Sequence, residues 1–122
     1  MTNAILLPHV IRYNDTDSPT RMGIYPSYSH PKACKRYVTL AKAIGAESDT
    51  TEGLITELKK LCAELDIPPS FKAAGIDREK FMAELDQIAE DAFDDQCTPA
   101  NPRFPLIPEL KDILIAAYDD DE

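Results

Sequence analysis

Apolar residues recur along the chain mostly at intervals of three and four, the spacing that places side chains on one face of an α-helix. This spacing predicts helices over 31–45, 51–65 and 77–93, and a last helix that begins near Pro108. The side chains expected on the apolar faces are Tyr37, Leu40, Ala41 and Ile44; Leu54, Leu58, Leu61 and Leu65; Phe81, Leu85, Ile88 and Ala92; and Leu110, Ile113, Leu114 and Ala117. No segment alternates apolar and polar residues with a period of two, so we predict an all-α chain.

Residues with strong end preferences mark where these helices begin and stop. Small polar side chains favour the N-cap, glycine favours the left-handed position after a helix, and proline prevents a helix from continuing. The residues expected at starts are Pro31 in a first turn, Asp49 or Thr50, Ser70 before a short turn over 71–74, and Asp77. Those expected at ends are Gly45, Pro68 and Gly75.

Two regions fit the helical pattern poorly. Residues 1–13 have helical spacing but begin without a capping residue, and Pro8 lies inside their apolar run. A proline inside a helix costs ~3 kcal/mol unless neighbouring elements hold the helix. Residues 14–29 are rich in turn formers and long for a connection inside a compact domain. We therefore expect this segment to wrap a surface or to pack on a partner.

Length and charge narrow the function classes. The 122 residues are enough for one domain, so we predict a single helical domain over 1–122. The net charge of −9 opposes contact with phosphate backbones, which argues against nucleic-acid binding. No apolar run approaches the ~20 residues of a membrane helix. The three cysteines, Cys34, Cys62 and Cys97, are widely separated and favour a reduced, cytoplasmic setting.

Candidate metal and catalytic residues are few. Asp15-Thr16-Asp17 resembles the start of a calcium loop, but Thr20 and Pro26 occupy the positions of the required glycine and glutamate, so these acids are interpreted as turn formers. The two histidines, His9 and His30, have no suitably spaced co-ligand, and no catalytic triad or glycine-rich phosphate loop is present. The remaining acids, interpreted as a solvated helix face rather than a metal cluster, are Asp91, Asp94 and Asp95.

Cys97 differs from the other candidates because of its position. It follows the end of a predicted helix and precedes a turn with three prolines, Pro99, Pro102 and Pro105. The chain therefore positions its side chain. A buried, inert cysteine and a residue of a pocket wall both remain open interpretations at this point.

Two long motifs carry a family resemblance. Residues 3–14 (NAILLPHVIRYN) and 97–103 (CTPANPR) resemble segments of iron-containing alcohol dehydrogenases. Residues 13–20 (YNDTDSPT), 31–37 (PKACKRY) and 92–103 are similar to the alcohol dehydrogenase half of bifunctional aldehyde-alcohol dehydrogenases. The resemblance covers essentially the whole chain in order, and is weakest over 47–60.

The resemblance implies a fold and a limited role. The fold would be a helical bundle that corresponds to the C-terminal part of the dehydroquinate synthase-like, iron-containing alcohol dehydrogenase helical domain. The ligands of the iron (Fe²⁺) and the domain that binds NAD would lie upstream, so this chain would hold neither and have no turnover alone. By resemblance, Cys97 lines the substrate pocket without a chemical role, and a structural turn is formed by Asn101, Pro102 and Arg103.

Two interpretations of the function follow. The first is the C-terminal helical portion of an iron-dependent, NAD-linked alcohol dehydrogenase, with acetaldehyde and ethanol as the expected substrates. Its partners would be the remainder of that dehydrogenase or its subunits, or other copies of the chain. The alternative is a standalone helical interaction protein, or a gene remnant, that docks on a full-length dehydrogenase.

Overall fold

The computed structural model describes residues 1–19, 21 and 32–119. Within these ranges the chain forms five α-helices: α1 (Thr2–Asn14), α2 (Ala33–Ala43), α3 (Thr51–Glu64), α4 (Arg78–Asp94) and α5 (Ile107–Asp119). A one-turn 3-10 helix, Thr98–Ala100, lies between α4 and α5. No β-strand occurs in the described ranges, and the predicted all-α fold class is confirmed. Within the 14–29 segment Thr20 and residues 22–29 lie outside the described residues, as do His30 and Pro31.

Helix α1 occupies the middle of the bundle. It packs against α5 on one side and α3 on the other, while α4 covers α5 and α2 covers α3. This position explains how α1 continues through Pro8, which is buried although it cannot donate a backbone hydrogen bond. Contacts on both sides hold the helix where its own hydrogen-bond ladder is weakened. The start of α1 at Met1 has no side-chain cap, as the sequence predicts.

Two apolar clusters form the interior, one on each side of α1. The first, which we call the aromatic core, joins α1, α4, α5 and the turn after α3 through Ile5, Phe71, Phe81, Leu85, Ala117 and Tyr118. The second is smaller and joins α1, α2 and α3 through Ile11, Ala41, Leu54 and Ile55. The central helix therefore contributes one residue to each cluster, about two turns apart.

Five of the predicted start and end residues are confirmed, three by hydrogen bonds and two by backbone conformation, while Pro31 is outside the described residues. Thr50, Ser70 and Asp77 each accept a hydrogen bond from the backbone N–H three residues later, at 3.0 to 3.1 Å. Gly45 and Gly75 have φ values of +70° and +83°, the left-handed conformation that glycine adopts without strain. These turn and cap residues act locally, which is why they can be identified without knowledge of the packing.

Several side chains expected on apolar faces are exposed instead: Leu40 (49%), Ile44 (52%), Leu61 (50%), Leu65 (61%) and Ile88 (39%). Helix α3 fully buries only residues of its first turn and a half, Leu54 and Ile55 among them, and Leu58 packs partly buried against the second cluster. In α4 the buried positions recur every four residues, at Phe81, Leu85 and Ala89, and Ile88 lies outside this buried row.

Helix α5 is buried most deeply near its C-terminal end. Ala117 is buried as predicted, and Tyr118, which the spacing did not select, is also buried. Leu110, Ile113 and Leu114 are partly buried, and Leu114 packs against the aromatic core, so the expected inward face is confirmed only in part. None of the described helices is long and apolar enough to cross a membrane.

Candidate functional site

An open cleft of about 250 Å³ lies between the C-terminal half of α1, the turn after α4 and the first half of α5. Its walls come from three parts of the chain that are far apart in sequence. The lining residues are Val10 and Tyr13 from α1, Leu110 and Ile113 from α5, and Cys97, Thr98, Asn101 and Pro105 from the turn. The corner predicted from the sequence therefore borders a concave surface.

Cys97 lies at the beginning of this turn, with its side chain exposed in the cleft. Its backbone N–H donates to Asp95 Oδ1 at 2.7 Å, and the Thr98 hydroxyl donates to the Ala92 carbonyl. These bonds fasten the turn to the end of α4 and so position the thiol. The interpretation of Cys97 as a buried cysteine is wrong, and the geometry is compatible with a pocket-wall residue.

Asn101 joins the turn to the end of α1. Asn14 Nδ2 donates to Asn101 Oδ1 at 3.0 Å, and Asn101 Nδ2 donates back to Asn14 Oδ1 at 2.8 Å. The Asn101 amide also donates to the Arg103 carbonyl, across Pro102. Asn14 is buried and Asn101 partly buried, and this reciprocal pair holds the turn in one register.

Arg103 makes a second connection to α1. Its Nη1 donates to the Tyr13 carbonyl at 2.8 Å, which satisfies one of the carbonyls left open at the end of the helix. The guanidinium carbon lies 4.0 Å from the centre of the Tyr13 ring, a cation–π arrangement. Asn101, Pro102 and Arg103 thus lie at the junction of α1 and α5, where a structural turn is expected.

Glu109, in the first turn of α5, is the centre of this junction. It accepts hydrogen bonds from the Tyr13 hydroxyl at 2.9 Å and the Leu106 N–H at 2.8 Å, and both of its oxygens face Arg21 Nη2. Arg103 Nη2 lies 3.6 Å from Glu109 Oε1. Burial acts to raise the pKa of the Glu109 carboxyl, but the hydrogen bonds from Arg21, Leu106 and Tyr13 outweigh it and lower the pKa to about 2.

The same junction changes the pKa of Tyr13. Burial and the hydrogen bond to the Glu109 carboxylate raise the pKa of the Tyr13 phenol to about 12. The phenol therefore keeps its proton at neutral pH and directs it to Glu109.

Tyr13, Arg21 and Glu109 were not singled out in the sequence. Their contacts join positions 88 to 96 residues apart, which no local pattern reveals. One signal was present: Glu109 follows Leu106 by three residues, the spacing at which an acid bonds the N-terminal amide of a helix. The usual serine or threonine is missing from the first position of that motif, so the pattern is incomplete.

The other candidates have structural roles. Asp17 Oδ1 accepts a hydrogen bond from the Cys34 thiol at 2.6 Å, a contact that raises the pKa of that thiol. Asp91 accepts from Gln87 Nε2 at 2.8 Å on an exposed face of α4, and His9 is buried within α1. Among the described residues no three His, Cys, Asp or Glu side chains come together as a metal-binding group.

The family follows from comparison with known sequences. The family model for the C-terminal region of Fe-containing alcohol dehydrogenases matches residues 1–118. The chain belongs to the iron-containing alcohol dehydrogenase family and corresponds to its C-terminal region. The described residues do not themselves supply a ligand set that fits an iron ion.

Individual proteins of this family are similar to the chain over nearly its whole length. The chain is 47% identical to the bifunctional aldehyde-alcohol dehydrogenase AdhE of Escherichia coli, over 97% of this chain and 14% of that protein. It is 40% identical to the aldehyde-alcohol dehydrogenase of Clostridium acetobutylicum, again over 97% and 14%. The structure of the iron-containing alcohol dehydrogenase from Thermococcus thioreducens matches with a TM-score of 0.75 and 26% identity, over 98% of this chain and 27% of that one. The chain thus spans about one seventh of the two curated relatives.

Proposed function

We propose that this chain serves as the C-terminal helical portion of an iron-dependent, NAD-linked alcohol dehydrogenase and forms one wall of its substrate pocket. The family match over 1–118 carries the proposal. Its partner would be the remainder of the dehydrogenase subunit, which would hold the iron and the nicotinamide cofactor, in the cytoplasm. The expected substrate pair is acetaldehyde and ethanol.

The cleft supports the assignment of a pocket wall. Cys97 and the apolar lining residues present a concave surface, as a small substrate requires. The Asn14–Asn101 pair and the contacts of Glu109 fasten that surface to α1 and α5. In this role the chain contributes shape and the exclusion of water, while Cys97 contacts the substrate without exchanging a proton or an electron pair with it.

A chimera tests the proposal. Residues 1–122 would replace the matching C-terminal segment of Escherichia coli AdhE, and NADH-dependent reduction of acetaldehyde would be compared with that of the chain alone. We expect turnover by the chimera and none by the isolated chain. Turnover by the isolated chain, or a folded chimera that binds NADH and iron but has no activity, would contradict the proposal.

A variant of the same chimera tests the place of Cys97. Cys97→Phe adds bulk to the cleft, so we expect KM for acetaldehyde to rise severalfold. Leu61→Phe is the matched control, because Leu61 is half-exposed on α3 and does not line the cleft. Equal KM values for the two variants would show that Cys97 is not part of the pocket wall.

The alternative function, an interaction protein, has its own test. Binding of the isolated chain to full-length AdhE, together with an inactive chimera, would favour it.

A further inference from the structure

The polar side chains that line the cleft direct their hydrogens into the protein. The Tyr13 hydroxyl donates to Glu109, and the Thr98 hydroxyl donates to the Ala92 carbonyl. Asn101 Nδ2 carries two hydrogens, and it donates to both Asn14 Oδ1 and the Arg103 carbonyl. Of the side-chain hydrogen-bond donors that line the cleft, only the Cys97 thiol, a weak donor, is left for a ligand, while the Thr98 hydroxyl oxygen can still accept a hydrogen bond.

The rest of the lining is aliphatic. Val10, Leu110 and Ile113 are half-buried, so part of each side chain faces the open space between α1 and α5. The volume of about 250 Å³ is below the range of about 300 to 1,000 Å³ found for sites of drug-sized ligands. The cleft therefore suits a short apolar group and offers a hydroxyl no strong hydrogen-bond donor.

We propose that this cleft binds the alkyl chain of the substrate, that Val10 and Ile113 determine the chain length it accepts, and that it selects against hydroxylated chains. The alkyl-binding property belongs to the cleft itself; the identity of the ligand as a primary aldehyde or alcohol rests on the proposed function. A substrate hydroxyl that enters the cleft gives up water. It can donate to the Thr98 oxygen, but its own oxygen finds no side-chain donor except a thiol. The unmade hydrogen bond to the substrate oxygen corresponds to about a fivefold preference for the unsubstituted chain.

Cys97 provides a direct measurement that does not depend on enzyme activity. In the full chain with Cys34→Ser and Cys62→Ser, the thiol of Cys97 would be alkylated with N-methyl-, N-ethyl-, N-butyl- and N-(2-hydroxyethyl)maleimide. Each rate constant would be divided by that for glutathione to remove intrinsic reactivity. We expect the ratio to rise with chain length, by up to about fourfold for each fully buried methylene, and to fall for the hydroxyethyl reagent.

Substitutions of Val10 and Ile113 test whether these residues cause the rise in alkylation rate with chain length. Val10→Phe and Ile113→Phe fill the cleft from opposite helices and are expected to abolish the gain from ethyl to butyl. Ile113→Ala widens the cleft and is expected to extend the gain to N-hexylmaleimide, so the set includes a change that does not add bulk. Leu7→Phe is the control, because Leu7 is exposed on the same helix as Val10 and does not line the cleft. Helical content from circular dichroism would establish that each variant is folded.

The outcomes separate this inference from the proposed function. A gradient that the cleft variants remove and Leu7→Phe retains supports the alkyl site, whether or not the chimera reduces acetaldehyde. Equal normalised rates for all reagents, a faster reaction with the hydroxyethyl reagent, or a gradient that survives both Phe variants would overturn it, even if the chimera is active.

Discussion

The two ends of the α1–α5 pair are held together in different ways. Near the start of α1 and the end of α5, Ile5, Phe81 and Tyr118 meet in the aromatic core, with ring centroids of Phe81 and Tyr118 4.7 Å apart. At the other end, Tyr13 and Glu109 meet through charged and neutral hydrogen bonds. Apolar burial tolerates small rotations of a side chain, whereas hydrogen bonds require particular directions. The second end, which borders the cleft, is therefore the one whose shape is most closely defined.

Removal of the central ring of the aromatic core should have the largest effect. Phe81→Ala is expected to lower the free energy of unfolding by about 3 to 5 kcal/mol, because it leaves a cavity between Phe71 and Tyr118. Urea unfolding followed by circular dichroism measures the change. Met82→Ala, at the exposed neighbouring position, is the control and should have little effect. Similar losses for both variants would show that α4 does not pack on α5 through Phe81.

Neutralisation of Glu109 should have the next largest effect. Glu109→Gln removes the charge that Arg21, Tyr13 and the Leu106 amide bind, and we expect a loss of about 2 kcal/mol at pH 7. The pKa of Glu109 in the folded chain, about 2, lies below the value of about 4.3 for an unfolded glutamate. The stabilisation is therefore complete above about pH 4.3 and is lost as the pH falls through about 2.

The pH dependence of the unfolding free energy tests this prediction. The difference in unfolding free energy between the wild-type chain and Glu109→Gln should be constant from pH 7 to 5 and shrink between pH 4.3 and 2. Glu47→Gln is the matched control, because Glu47 pairs with Lys60 at 2.8 Å on an exposed surface where water screens the pair. A difference that does not change with pH would mean that the Glu109 carboxylate charge does not stabilise the junction.

A smaller effect is expected from the one hydroxyl of the aromatic core. The Tyr118 hydroxyl donates to the Ile76 carbonyl at 2.9 Å, so Tyr118→Phe should cost about 1 kcal/mol. Urea unfolding measures this change, and the loss should be the same at pH 7 and pH 4, in contrast to that of Glu109→Gln. A loss as large as that of Phe81→Ala would show that a directional contact, rather than apolar burial, holds this end together.

The sequence predicted the helices well because their signals are local. Thr50 and Asp77 cap their helices through an amide three residues away, and Gly45 ends one through its own backbone conformation. The faces were predicted less well. Leu61 and Ile55 are similarly hydrophobic, so hydrophobicity alone predicts burial of both. In the structure Ile55 is buried, whereas Leu61 is 50% exposed. Helical spacing identifies an apolar stripe and does not reveal where along the helix a partner lies.

The candidate site shows the same division. Cys97 and Asn101–Arg103 were identified from their motif, and the structure brings them to one corner of the cleft. The groups that fasten this corner, Tyr13 and Glu109, were missed because they are joined across 96 residues of chain. An incomplete capping pattern before α5 was the only local sign of Glu109. Their role in a substrate pocket remains a prediction for the chimera to test.

The sequence by itself determined the helical class, the caps and turns, and the family, because each of these depends on residues close together in the chain or on short continuous motifs. Only the tertiary structure decided which leucines are buried, and that Asn14, Tyr13 and Glu109 converge beside Cys97. The physical reason is distance along the chain. Capping and helical spacing act over three or four residues, whereas burial and the hydrogen bonds of the cleft depend on elements that only folding brings together.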